Sequence, residues 1–269
     1  MDARKALLHV WMVGLLPILL YLTIALALGW WLGWMVGAVA LLLVLWSWIE
    51  WWGKVKQDVL NGLPETLKFV PARMEDFPNL DRVALDRLTE GLAALGFSQL
   101  QDYQLDPEAV GGTSSGFARC LGHPQQHCYI EVFQAFPKEG NPLPLVFSAI
   151  SYLDDNWILA TTTNPLDSIS MMWRDRRTCW SYHPDSSPEA IVQIHLERCQ
   201  QMVEDLGIQV QSEISWHYYE QQQQLSALKR RRSFQDRNVA IALIQATYAE
   251  FNPVSEWWGD YRKHIKKRA

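Results

Sequence analysis

From Val10 to Ile49 the chain has no charged side chain at all. That absence excludes an ordinary water-facing segment there. Only Gly29 separates two uncharged runs, residues 10–28 and 30–49, and each is about the ~20 residues that a helix needs to cross a ~30 Å hydrocarbon layer. Backbone groups in hydrocarbon must bond within their own segment, so the runs are expected as helices. The expectation is a two-pass transmembrane hairpin within residues 1–52, kinked at Pro17 and closely packed at Gly33 and Gly37.

Cysteine is scarce: Cys120, Cys128, Cys179 and Cys199 are the only four. A disulfide-dense secreted scaffold is excluded. The chain also lacks a basic excess, with a net charge of −5, so it does not have the overall charge expected of a nucleic-acid binder. Internal repeats are absent. A phosphate-binding lysine is missing from the glycine-rich Gly111-Gly112-Thr113-Ser114-Ser115-Gly116, which reads as a loop.

What is present sharpens the hairpin. Arg4 and Lys5 precede it, Lys54 and Lys56 follow it, and the turn between the runs is uncharged. The positive-inside rule then places both termini in the cytoplasm, at the cytoplasmic membrane or, in a photosynthetic cell, the thylakoid membrane. Eight of the 14 tryptophans lie in the first 52 residues. Trp30 and Trp31 flank the turn while Trp51 and Trp52 flank the exit, as interfacial belt residues do. Glu256-Trp257-Trp258-Gly259 echoes Glu50-Trp51-Trp52-Gly53 ahead of a basic end, Arg262, Lys263, Lys266, Lys267 and Arg268. A second basic run is Lys229, Arg230, Arg231 and Arg232. Both runs suit anionic lipid or an acidic partner face, and they leave the rest of the chain strongly acidic.

Residues 53–78 hold Pro64, Pro71 and Pro78 and read as a juxtamembrane linker. Leu85, Leu88, Leu92 and Leu95 repeat at helical spacing behind a cap at Asn79 or Asp81, and Gly96 ends the helix. Short strands follow at 97–105, 117–121, 128–136, 143–153 and 157–163, with turns at 122–126 and 154–156. Residues 178–182 suggest a further strand. Ser187-Pro188-Glu189 starts a helix that stops at Gly207, with Ile194, Cys199 or Arg198, Met202 and Leu206 as candidates for its buried stripe. Residues 208–214 suggest a strand that closes the sheet, and 216–250 are helix-forming. The fold class expected is α+β: a cytoplasmic domain over 79–252 with an antiparallel sheet of about five strands packed by helices, then a tryptophan-containing basic tail over 253–269.

One cluster has metal-ligating chemistry. Cys120, His123, His127 and Cys128 bring two thiols and two imidazoles within nine residues, the ligand types of zinc, although the spacing matches no standard finger. Cys179 and His183, a nucleophile–base pairing by type, stand too far apart on an extended strand.

Leu92-Ala-Ala-Leu-Gly-Phe97, Asp102-Tyr103, the run from Ala118 to Pro124, Cys128-Tyr-Ile-Glu-Val132 and the stretch 154–164 together resemble a group of uncharacterised bacterial membrane-anchored proteins. In that group a helix ending in "LGF" leads into hairpins. The resemblance covers roughly residues 80–165 and implies an α+β fold only; no activity and no catalytic residue carries over with it.

The function expected from these features is a membrane-anchored, non-enzymatic protein that binds lipids and a membrane-complex partner as an assembly, scaffolding or stabilising factor. A zinc-dependent enzyme and a ligand-binding sensor are the alternatives.

Overall fold

The computed structural model describes residues 11, 12, 16, 19, 20, 22–24, 26, 27, 34–106 and 114–268. These divide into two compact units. Unit 1 comprises Met1–Gly62, Asp167–Trp173 and Ser233–Pro253; unit 2 comprises Leu63–Leu166, Arg174–Arg232 and Val254–Ala269.

In unit 1 the main helix, α1 (Trp34–Gly62), runs well past the point where the sequence suggests a linker. Among the described residues no helix is long and apolar enough to cross a membrane. This overturns the two-pass hairpin and the integral-membrane location inferred from it. The physical reason lies in α1. Its uncharged part, residues 34–49, is only ~24 Å long at ~1.5 Å per residue, short of a ~30 Å layer. Glu50, Lys54, Lys56 and Asp58 occupy the rest. Much of the first apolar run, including Pro17, lies outside the described residues, as do Gly29 and, at the start of the second run, Trp30, Trp31 and Gly33. Trp52 gathers Trp11, Trp48 and Trp51 around it at centroid distances of 6.5, 6.1 and 4.7 Å. Lys56 Nζ donates to the carbonyls of Gln235 and Arg237, at 2.5 and 3.4 Å.

Unit 2 is built on one sheet of eight strands, not five, in the order β1 to β8. The strands are β1 (Phe69–Pro71), β2 (Ser98–Leu105), β3 (Ser114–His123), β4 (Cys128–Pro137), β5 (Val146–Leu153), β6 (Trp157–Thr162), β7 (Thr178–Tyr182) and β8 (Glu256–Trp257). It is mixed rather than purely antiparallel, because β6 and β7 run parallel. The two extra edge strands, β1 and β8, have three residues and two, too short for a period-2 pattern. Ser114, Ser115 and Gly116, expected in a loop, begin β3. Residues 208–214 do not form a strand: Val210 makes one isolated bridge to Leu153.

Helices cover both faces. α2 (Arg82–Ala94) is capped by Asp81, whose Oδ1 accepts from Ala84 N–H at 3.0 Å. α3 (Pro188–Leu206) is capped by Ser187 and stopped by Gly207 at φ 56°. Leu85 and Leu92 of α2 and Ile191 of α3 pack on Phe117, Leu121, Ile130, Val132 and Phe147. α4 (Trp216–Gln235) lies on the opposite face, where Trp216, Tyr218 and Tyr219 meet Tyr103, Tyr129 and Tyr152. α5 (Val239–Phe251) belongs to unit 1.

The residues after 253 form no loose tail. β8 pairs with β7, and α6 (Tyr261–Arg268) places Tyr261 in the core with Trp157, Leu159 and Met202. Gly259 joins them at φ +51°, and a Cβ there would stand 2.1 Å from the Arg176 carbonyl oxygen. Left-handed backbone costs a non-glycine residue about 1–2 kcal/mol, and the clash adds to it. Gly259→Ala is therefore expected to lower stability by at least about 2 kcal/mol in thermal melts and to make 254–269 sensitive to limited proteolysis.

Candidate functional site

On β4 the side chains alternate. Cys128, Ile130 and Val132 face α2 and α3, while Tyr129, Glu131 and Phe133 face the α4 side. Glu131 is thus a carboxylate on a face lined by the Tyr103, Tyr129, Tyr152 and Tyr219 rings. Cys120 stands beside it on β3 and Ser148 on β5, in register. A carboxylate partly withdrawn from water is stabilised when it is hydrogen-bonded or paired. Two phenols do this for Glu131: Tyr103 donates to Oε2 at 2.5 Å, and Tyr219 donates to the same oxygen. The two hydroxyls are 3.3 Å apart.

Burial, then the charge of Glu131, pushes Tyr103 and Tyr219 well above the usual phenol range. Burial does the same to Tyr152 and to the Cys120 thiol, again with Glu131 as the second cause. All four stay neutral at physiological pH, so the phenols act as donors and the thiol is inert. Trp216 lies against Tyr103, Tyr219 and Phe69, with centroids 4.9, 5.7 and 5.7 Å away.

Further along α4, Gln223 Nε2 donates to Tyr152 Oη at 3.3 Å. Arg230 extends into the field of Tyr152, Glu131 and Tyr219. Desolvation lowers its pKa, but a guanidinium remains charged. As a whole residue Arg230 is exposed, while its guanidinium is withdrawn from water, and Glu131 is half-buried. Phe133, Ser148, Ala160, Trp180 and Tyr182 on the same sheet face are also only partly covered.

The expected zinc ligands are not brought together. Cys120 packs with Tyr129 and Tyr219, and Cys128 packs on the opposite face with Ile130. His123 is held by its neighbours: Gln126 N–H donates to Nδ1 at 3.2 Å, so Nε2–H donates to the Leu95 carbonyl at 3.1 Å. His127 sits in the hairpin at φ 52°. Among the described residues no group of three or more His, Cys, Asp or Glu side chains stands close enough to hold a metal ion. Burial pushes the Cys128 and Cys179 thiols up to about 12.

The basic run does not form one patch, because successive residues on a helix point about 100° apart. Lys229 is half-buried near Asp175, Arg231 donates to the Leu63 carbonyl at 2.6 Å and pairs with Glu65 at 2.9 Å, and Arg232 is exposed. Trp257 and Trp258 are also absorbed into unit 2. Arg174 covers the Trp257 ring at 3.9 Å, and Trp258 packs on Tyr261 at 5.2 Å. Arg262 and Lys263 are exposed on α6, with Lys263 bonded to Asp260 at 2.8 Å. Lys266, Lys267 and Arg268 lie on the same helix.

One nucleophile–base arrangement does occur. Ser151 Oγ is 2.9 Å from His195 Nε2. The other ring nitrogen meets the Thr161 hydroxyl at 3.1 Å rather than a carboxylate, and all three residues are fully buried. A substrate has no route to that serine, so the group is structural.

Sequence reasoning found Arg230 but assigned it to a surface patch. It missed Glu131, Tyr103, Tyr152 and Tyr219. A usable signal was present: Glu131 is the one charge in the strand 128–136, and its parity matches Tyr129 and Phe133 rather than the solvent-facing positions of an edge strand. No protein-family model, no curated protein and no solved structure matches the chain.

Proposed function

We propose that the protein is a non-enzymatic binding protein whose unit 1 docks an apolar helix of a partner protein, as an assembly or stabilising factor does. The observation that carries this reading is the uncovered apolar surface of α1 and α5. Val39, Leu41, Leu42, Leu43, Leu45, Trp46 and Ile49 are exposed on α1, and Ile241, Ile244, Tyr248 and Phe251 on α5. A helix that is apolar around its circumference is normally covered, and exposed patches of this kind mark interaction surfaces.

The spacing favours a helix as occupant. Ile241, Ile244, Tyr248 and Phe251 follow each other at intervals of three, four and three, and Leu42, Leu45 and Ile49 at three and four. These are the seams into which the side chains of another helix insert. Each large apolar side chain so covered contributes about 1.5–3 kcal/mol. The partner's helix in such a seam covers the apolar surface that α1 and α5 leave exposed.

Photo-crosslinking amino acids placed at Leu45 and at Ile244 in the full chain test this in cells. Adducts are expected on one protein, at residues spaced three and four apart within one apolar segment. A probe at the exposed Val83 of unit 2 should not give them. Adducts to phospholipid alone, scattered protein adducts, or the same adducts from Val83 would each overturn the reading.

A further inference from the structure

A groove in unit 2 lies between α3, the end of α2 and the β3–β4 turn, with a volume of about 590 Å³. Small-molecule sites fall in the range of ~300–1,000 Å³. The groove follows α3 from Glu189 to Val203, a length of ~21 Å at ~1.5 Å per residue. Its floor is apolar. α3 turns Ile191, His195, Cys199, Met202 and Leu206 into the core. Beside that stripe runs another, Val192, Leu196 and Val203, which lines the groove together with Leu95 and Val210. All five of these side chains are only partly covered. Packing on the sheet accounts for the first stripe and leaves the second facing the groove.

The rim is rich in acceptors. Glu189, Gln193, Glu197 and Gln200 line it from α3, and all four are exposed. Gln193 Nε2 donates to Glu197 Oε1 at 3.0 Å, and Gln200 Nε2 donates to Glu204 Oε1 at 2.9 Å. Each amide thus spends an N–H on a carboxylate and keeps its carbonyl oxygen as an acceptor. No lysine or arginine lines the groove among the described residues. In the turn, the His127 backbone is fixed at both groups: its N–H donates to the His123 carbonyl at 2.9 Å, and its own carbonyl accepts from Ser151 Oγ at 3.3 Å. The His127 ring also lines the groove, and its Nδ1 is buried without a hydrogen-bond partner. An unbonded buried nitrogen is a cost that a donor carried by an occupant removes.

We propose that this groove binds an amphiphilic organic cation, an amine on an aliphatic body, with its chain along Val192, Leu196 and Val203 and its ammonium at the rim beside Glu197. Such a molecule covers the second stripe of α3 and brings donors and positive charge to a rim that holds acceptors and negative charge. An anion of the same shape meets two carboxylates and no cation. A short ammonium ion finds the rim but leaves the floor uncovered.

The test labels the full chain with a photoreactive octylamine that carries a diazirine on its chain, and maps the adducts by mass spectrometry. Adducts are expected within 192–203 and at 125–127. Unlabelled octylamine, below its micellar concentration, should suppress them at least tenfold more effectively than octanoate or ethylammonium. Glu197→Gln should reduce this labelling at least threefold. Gln193→Lys, which sets an ammonium of the protein's own one turn from Glu197, should reduce it at least tenfold. Asp86→Asn removes an exposed acid of α2 outside the groove and should leave it unchanged. All three substitutions are at exposed helical positions, and circular dichroism checks that the fold is kept. Adducts confined to α1 and α5, equal suppression by octanoate, or labelling untouched by Gln193→Lys overturns the assignment. The crosslinking from Leu45 and Ile244 stands or falls separately, because it reads protein adducts at unit 1.

Discussion

Asp102→Ala is expected to destabilise unit 2 by about 3–5 kcal/mol, the cost of leaving a buried charge unpaired. Arg119 is 4% exposed and reaches Asp102 with two parallel bonds, Nε to Oδ1 and Nη2 to Oδ2, both 2.8 Å. Its remaining nitrogen donates to Thr89 Oγ1 at 3.0 Å. The guanidinium thus ties β3 to β2 and to α2, and it has no aqueous alternative. Alanine at 102 removes two charge-assisted bonds and leaves the desolvation of Arg119 uncompensated. Asp102→Leu with Arg119→Met removes both charges, and it should recover most of the loss because a buried pair replaced by apolar groups of similar volume is often neutral. Urea melts followed by near-ultraviolet circular dichroism measure both. A single-variant loss below about 1 kcal/mol, or a double variant no better than the single, would show that water reaches the pair.

That pair shows where sequence reasoning stops. The elements around it were legible because their signals are local. Asp81 and Ser187 cap α2 and α3, Gly207 takes the left-handed conformation that ends α3, and Asp155 and Asn156 adopt the positive φ of the expected hairpin turn. The pairing of Asp102 with Arg119 is not local. A register shift between Gln99 and Gln101 inserts one residue, so the parity of β2 changes and Asp102 comes to lie opposite Arg119 on the α2 face. Such a bulge leaves no mark in the alternation of Ser98-Gln99-Leu100-Gln101. The candidate site was partly hidden for the same reason. Tyr103 reaches Glu131 only because the bulge turns it to the α4 face, and Tyr219 arrives from a helix that begins more than 80 residues after the start of β4. The apolar run at 10–49 shows the opposite error. Composition there is a strong local signal, but it does not say where a helix continues, and α1 carries the run into Glu50, Lys54 and Lys56.

Acidification should destabilise the protein through His195 well before most carboxylates protonate. The sequence suggests Ile194 for the buried stripe of α3, whereas the structure uses Ile191, His195, Cys199, Met202 and Leu206. His195 is fully buried, and its hydrogen bonds suit only the neutral ring. Ser151 Oγ donates to the His127 carbonyl, so it accepts from His195 Nε2–H, and Thr161 donates to Nδ1. A second ring proton would face the Thr161 hydroxyl and force it to turn. Burial first, and the nearby Arg198 charge second, lower the His195 pKa to about 3. An unfolded histidine titrates near ~6.5, so below that pH the unfolded chain binds more protons than the folded one. The stabilisation is complete above ~6.5 and is lost as pH falls towards the folded value, at about 1.4 kcal/mol per pH unit. Near pH 5 the loss is about 2 kcal/mol. His183 has a lowered pKa as well, with burial as its main cause, so the wild-type slope alone does not isolate His195. The difference between wild type and His195→Gln does. Glutamine offers one donor and one acceptor to the same two hydroxyls and does not titrate. The stability gap between the two proteins, from urea melts at pH 7.5, 6, 5 and 4.5, should therefore shift in favour of glutamine by about 2 kcal/mol between pH 7.5 and 5. A gap that stays constant over that range would mean that the α3–β5–β6 junction admits a charged imidazole, and with it enough water to reopen the question of what Ser151 can do.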